Sequence, residues 1–144
     1  MKYFAKDIAK FIISYCSSLF HPISNLKLQK ILYFVWIDYY KETLCELYSD
    51  EICAWQLGPV VPEVYYEYCS YGGRPIDENY KTEIADEDVV ILQKIIDKYV
   101  YLSTSSLVNI THQPGKPWDL VYKNGMGNRH PIPFELIKSL ECGS

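Results

Sequence analysis

The chain has 144 residues, 49% of them hydrophobic and 22% charged, with a formal net charge of -4 and an isoelectric point near 5.3. These values fit one ordinary globular core and exclude an intrinsically disordered chain. Arginine occurs only at Arg74 and Arg129, which argues against a sequence-independent grip on nucleic acid, since that needs many cations against phosphates.

The first predicted helix carries Phe4, Ile8, Phe11, Ile12, Tyr15 and Leu19 on one face, with Lys6, Lys10, Ser14 and Ser17 on another. His21-Pro22 ends it, because the residue before proline is pushed out of the helical region. Ser24 is a good N-cap for a second helix over about residues 25–41. Leu28, Ile31, Leu32 and Val35 form one stripe there, and Tyr33, Trp36, Ile37 and Tyr40 extend it around the axis. A helix apolar over so wide an arc belongs at the centre of a core.

Residues 51–57 alternate too briefly for a helix and are expected to form a short strand, with Gly58-Pro59 as the turn. Pro62 suits the first position of a third helix, with Val64, Tyr65, Tyr68 and Cys69 as its stripe and Gly72-Gly73 as its stop. Asp86 is expected to cap a fourth helix with Leu92, Ile95, Ile96 and Tyr99 inward. Ser103 can cap a short fifth, Pro117 begins another brief helix with Trp118, Val121 and Tyr122, and Pro133 opens the last. The predicted fold is mainly α, with five to seven helices and a minor β element near residues 51–57. Residues 1–142 are read as a single domain, with Gly143 and Ser144 as a tail or cloning remnant.

No apolar run approaches the roughly 20 residues of a membrane span, and the N-terminus does not read as a signal peptide. The protein is expected in the cytosol. Its cysteines, Cys16, Cys45, Cys53, Cys69 and Cys142, form no CxxC pair, and His21, His112 and His130 lie far from them in sequence. Reduced thiols are expected, with no metal site and no cofactor.

Three segments in order resemble the Panacea domain, also called the SocA-type antitoxin or phage-associated protein domain. They are ISNLKLQKILYFV at residues 23–35, AWQLGPVVPEVYYEY at 54–68 and LVNITHQPGKPW at 107–118. The family's motif falls on Lys27, Leu28, Gln29 and Lys30; on Ala54, Trp55, Gly58, Pro59, Val60, Pro62, Val64 and Tyr65; and on Thr111, His112, Pro117 and Trp118. Gln56 and Lys116 depart locally from what relatives often carry. The resemblance implies a cytoplasmic, often prophage-encoded antitoxin that neutralises a cognate toxin by direct binding. In some relatives it implies delivery of that toxin to a cellular protease. It leaves the toxin's identity and homo-oligomerisation open.

Read as residues, Lys27 and Lys30 are one helical turn apart with Gln29 beside them, either a solvated edge or a polar seam that pairs with a partner or with buried carbonyls. Trp55 and Gly58-Pro59 read as scaffold. His112 could be imagined as a base beside Cys53, Asp119 or Thr111, but no nucleophile elbow, phosphate loop or paired ligand set accompanies it. No catalytic residue is therefore assigned. The chain has fourteen tyrosines, and tyrosine favours binding surfaces. The clusters Tyr39-Tyr40 and Tyr65-Tyr66-Tyr68 cannot all point inward, so these five, with Lys27 and Lys30 at the rim, are the candidate interface. The expected function is that of a non-catalytic antitoxin. The alternatives are a proteolytic adaptor or phage–host interaction protein of the same fold, a His112-dependent enzyme, and a DNA-binding regulator with Lys27, Lys30, Lys81, Lys94 and Arg129 on one face.

Overall fold

Ser24 does what its position predicts: its hydroxyl accepts a hydrogen bond from the Lys27 N–H at 3.2 Å and starts the longest helix of the protein. The computed structural model describes residues 2–143; Ser144, half of the expected tail, lies outside the described residues. The α-helices are α1 (Ala5–Ser18), α2 (Asn25–Thr43), α3 (Pro62–Tyr68), α4 (Asp86–Tyr99), α5 (Thr104–Thr111), α6 (Pro117–Tyr122) and α7 (Phe134–Glu141). Strands β1 (Cys53–Trp55) and β2 (Gly58–Val60) form the two-stranded sheet. The fold is mainly α with this minor β element.

Helix α2 packs against α1, α3, α4, α5, α7 and β2. That encirclement is why it is buried around most of its circumference, with only Leu26 and Asp38 half-buried between Asn25 and Tyr39, as its wide apolar arc predicts. Its end is a left-handed Leu44, φ 61°. The inward face of α1 keeps Ile8, Phe11 and Ile12 of the expected stripe and adds Ala5, Ala9, Ile13 and Cys16, whereas Phe4 is the N-cap and stands 73% exposed.

Helix α4 begins one residue earlier than expected: Ala85 is the N-cap and Asp86 lies in the first turn. It presents Leu92, Ile95 and Ile96 to the core. Its rim is tied down by tyrosines: Asp88 accepts from the hydroxyls of Tyr3 at 2.6 Å and Tyr39 at 2.9 Å. Asp97 accepts from Tyr15, and Tyr99 donates to Asp38 of α2, each at 2.6 Å. Hydrogen bonds to a carboxylate are among the stronger neutral-donor contacts, so these pairs fix the registry of α4 against α1 and α2.

The expected strand is a hairpin whose turn is Gln56-Leu57, not Gly58-Pro59. Gly58 pairs with Trp55 and Pro59 with Ala54, so both belong to the second strand. On the other side of β1, Cys53 bridges Pro131, and Ala54 exchanges backbone hydrogen bonds with His130 and Arg129. Among the described residues no helix is long and apolar enough to cross a membrane.

Leu32 is fully buried on α2 and Ile95 is 5% exposed on α4. Truncating either to alanine should cost about 2–5 kcal/mol in denaturant melts, since the surrounding helices relax only partly into the cavity. Losses below about 0.5 kcal/mol for both would mean that these faces do not carry the core.

Candidate functional site

The polar residues of the second helix point into the protein. Lys30 is fully buried, and its ammonium donates to the Pro59 carbonyl at 2.7 Å. Gln29 accepts from the Val61 N–H at 2.9 Å and donates to Asn25 Oδ1 at 3.0 Å. Asn25 in turn donates to the Tyr65 carbonyl at 3.1 Å. Lys27 donates to the Val100 carbonyl at 2.6 Å. Polar residues on different sides of this one helical segment thus fasten the hairpin, α3 and the end of α4. Lys27 and Lys30 form the polar seam that pairs with buried carbonyls, and they are not the rim of an exposed interface. Their burial also denies a DNA-binding regulator the shared basic face it would require.

Gly58 belongs to the same knot. Its φ is +117°, and a Cβ there would lie 2.9 Å from Thr111 Oγ1 and 3.0 Å from Lys30 Nζ. Only glycine fits both the backbone and the space. Thr111 is buried and donates to the Val108 carbonyl at 2.7 Å. Trp118, 7% exposed, donates its indole N–H to the Trp55 carbonyl at 2.7 Å. His112 stacks flat on Trp118, with ring centroids 3.7 Å apart and planes 4° apart. The Lys-Leu-Gln-Lys, Gly-Pro-Val and Thr-His…Pro-Trp elements therefore meet as one internal structure.

Burial pushes the Lys30 ammonium down to about 7. Burial, and then the neighbouring Lys30 charge, lower the His112 imidazole, which favours the neutral ring. The His112 Nε2 atom is buried without a hydrogen-bond partner, so no Cys53, Asp119 or Thr111 side chain is bonded to it as a nucleophile or orienting group. Among the described residues no group of three or more His, Cys, Asp or Glu could hold a metal ion.

The five candidate tyrosines separate. Tyr39 and Tyr68 are buried, with hydroxyls on Asp88 and Tyr80. These two are corrected from surface to core, because each finds an internal partner for its polar tip. Tyr40 is half-buried and stacks on Trp36 with centroids 5.6 Å apart. Tyr65 is half-buried and Tyr66 exposed, and both contact the ring of Trp55, at 4.9 and 6.0 Å. Trp55, expected in the core, is only half-buried.

The cluster gains a residue that the sequence marks only for a basic face toward nucleic acid. The Arg129 guanidinium lies 4.2 Å over the Trp55 ring and donates to the Tyr66 hydroxyl at 3.2 Å. The loop carrying it turns at Gly127, where a Cβ would overlap the Val121 carbonyl. Beside this cluster a cleft of about 380 Å³ runs between the hairpin, the start of α2 and α3, lined in part by Leu26, Leu57, Val60 and Tyr65. Leu57, at the hairpin tip, is 51% exposed. Interfaces are enriched in such aromatic and arginine side chains.

Residues 28–119 match the family described as Antitoxin SocA-like, Panacea domain. The chain is also similar to Antitoxin SocA of Caulobacter vibrioides (strain NA1000 / CB15N), with 30% identity over 136 residues, 85% of this chain and 72% of that protein. No solved structure matches it.

Lys30 makes the stability depend on pH in a definite direction. Its folded pKa lies below the ordinary lysine value of 10.5, so the unfolded chain binds more protons between about pH 7 and that value, and stability rises with pH there. Below about pH 7 the full cost of the buried charge is present. Denaturant melts of the wild type and Lys30→Met between pH 6 and 9 should show the wild type gaining relative to the variant as pH rises. Parallel curves would mean that Lys30 stays charged throughout.

Proposed function

The chain belongs to the SocA-like antitoxin family of Panacea domains, which supports an antitoxin role, and on that premise we propose that it neutralises a cognate protein toxin by direct binding, without catalysis, in the cytoplasm. The observation that carries this reading is the surface cluster of half-buried Trp55 and Tyr65 with exposed Tyr66 and Arg129 beside the cleft, and Leu57 at its edge. Large rigid rings and a stacked guanidinium supply contact area at little entropic cost, and such residues dominate measured binding energies. The motif residues beneath them act indirectly, by holding the hairpin and α3 in place. His112 belongs to that support, as a neutral ring packed on Trp118.

Activity should accordingly follow interface contacts and not a titratable group. The test is growth rescue on co-expression with the product of the adjacent gene, run beside a pull-down and thermal melts. Tyr66→Ala and Leu57→Asp should melt normally, and Tyr66→Ala should weaken binding by about thirtyfold, the loss typical of a truncated hot spot. His112→Ala should impair rescue only as far as it lowers stability. If His112→Ala melts normally and binds its partner while rescue is abolished, the protein does chemistry. A neighbour that is neither toxic nor bound would remove the dedicated-antitoxin reading.

A further inference from the structure

The cleft beside Trp55 has one charged lining residue, Arg129. The chain holds eighteen Asp and Glu, yet among the described residues none forms an ion pair with Arg129. Its one side-chain hydrogen bond among those residues goes to the Tyr66 hydroxyl. A guanidinium carries five N–H donors in a planar fork that matches a carboxylate, so most of this fork faces outward unused.

The guanidinium is also held in position. Arg129 has a left-handed backbone, φ 70°, which a non-glycine residue adopts only where its surroundings impose it. Here the imposing contact is the ladder to β1: the Arg129 N–H donates to the Ala54 carbonyl at 2.7 Å. The strained backbone, the Trp55 ring beneath and the Tyr66 hydroxyl together fix the cation at the mouth of a cleft lined by Leu26, Leu57 and Tyr65 and by the amides of Asn25, Gln56 and Asn128. A site so preorganised loses little entropy on binding.

We propose that this cleft receives an extended acidic segment of the partner toxin, with an Asp or Glu carboxylate on Arg129 and an adjacent bulky apolar side chain against Leu26, Leu57 and Tyr65. The assignment rests on the antitoxin reading for the identity of the partner, but its chemistry comes from the cleft. Nucleic acid does not fit, because a single cation cannot replace the several a phosphate backbone requires. The Trp55 face that could stack a base is already covered by Arg129. A segment with a carboxylate beside an apolar side chain answers two features of the lining, the lone cation and the apolar patch of Leu26, Leu57 and Tyr65, and the Asn25, Gln56 and Asn128 amides can meet its backbone.

The experiment uses a random heptapeptide display library selected on the immobilised full chain, and in parallel on Arg129→Glu. Selection on the wild type should enrich peptides with Asp or Glu next to Leu, Phe or Trp. A synthetic peptide of the winning sequence should bind Arg129→Glu at least about tenfold more weakly. Arg129 contacts the Trp55 ring, so the variant's melt is recorded. Independently of any folding defect, changing the peptide's own carboxylate to the amide (Glu→Gln or Asp→Asn) should cost the wild type a similar factor. Enrichment without acidic residues, or an indifferent amide peptide, would overturn the proposal. So would winning sequences that match this chain's own segments together with Arg129-dependent self-association, which would make the occupant a second copy. The antitoxin reading is scored separately by growth rescue: rescue that survives Arg129→Glu sinks the acidic-segment proposal alone. Absent rescue with intact acidic-peptide selection sinks only the toxin as its source.

Discussion

The hydrogen bond from the buried Lys30 ammonium to the Pro59 carbonyl governs how the rest of the molecule is arranged. An ammonium in a dry interior is tolerated only where a strong acceptor meets it or where it gives up its proton; here the Pro59 carbonyl is that acceptor, and burial also lowers the ammonium's pKa. The acceptor is a strand carbonyl, so the lysine fixes where β2 runs. Gly58 follows, because no side chain could stand between that strand and the lysine stem. Gln29 extends the same row to the Val61 N–H, at the start of α3. Together these contacts occupy the outer edge of β2 that a two-stranded sheet would otherwise leave open. The other edge of the hairpin is met by residues 129–132.

Much of this arrangement was readable from local patterns, and what was not has a common cause. Ser24, Ser103 and Pro62 mark helix starts through short-range geometry, and each does so in the structure. The wide apolar arc of α2 announces its burial. Lys27 and Lys30 misled only as the rim of an interface, because polarity is the ordinary mark of a surface; the alternative of buried carbonyls was open, and only the distant carbonyls of Val100 and Pro59 decide it. Tyr39 and Tyr68 misled in the same way, through partners at Asp88 and Tyr80. The hairpin turn was displaced because Gly58 has a long-range reason, its contact with Lys30 and Thr111, that mimics a local turn signal. Of the candidate site, Tyr65 and Tyr66 were legible as tyrosines in excess of what one helix can bury. Arg129 was not, since a lone arginine in a loop carries no periodicity, and its place over Trp55 arises from packing across more than seventy positions of sequence.

The two sets of residues that result are sorted by direction. Those forming the family motif face one another: Lys30 toward Pro59, Trp118 toward Trp55, His112 toward Trp118. Those proposed for a partner lie at the surface, on the hairpin tip, on α3 and in the loop at residues 127–130. Trp55 belongs to both, with its carbonyl receiving the Trp118 indole and its ring supporting Arg129. Tyr65 of the motif shares this double place against the Trp55 ring, so support and the proposed recognition surface are coupled through these two rings.

The blocked edge of β2 has a consequence for how recognition can change. With Lys30 and Gln29 covering its polar groups, the hairpin cannot recruit a foreign strand by backbone pairing, and its affinities must be written in side chains. Side chains at a two-residue tip and on a surface loop can be exchanged one at a time without disturbing the lysine, glycine and tryptophan knot beneath. If that surface is where a partner is met, what it recognises can change by point substitution while the scaffold beneath stands still.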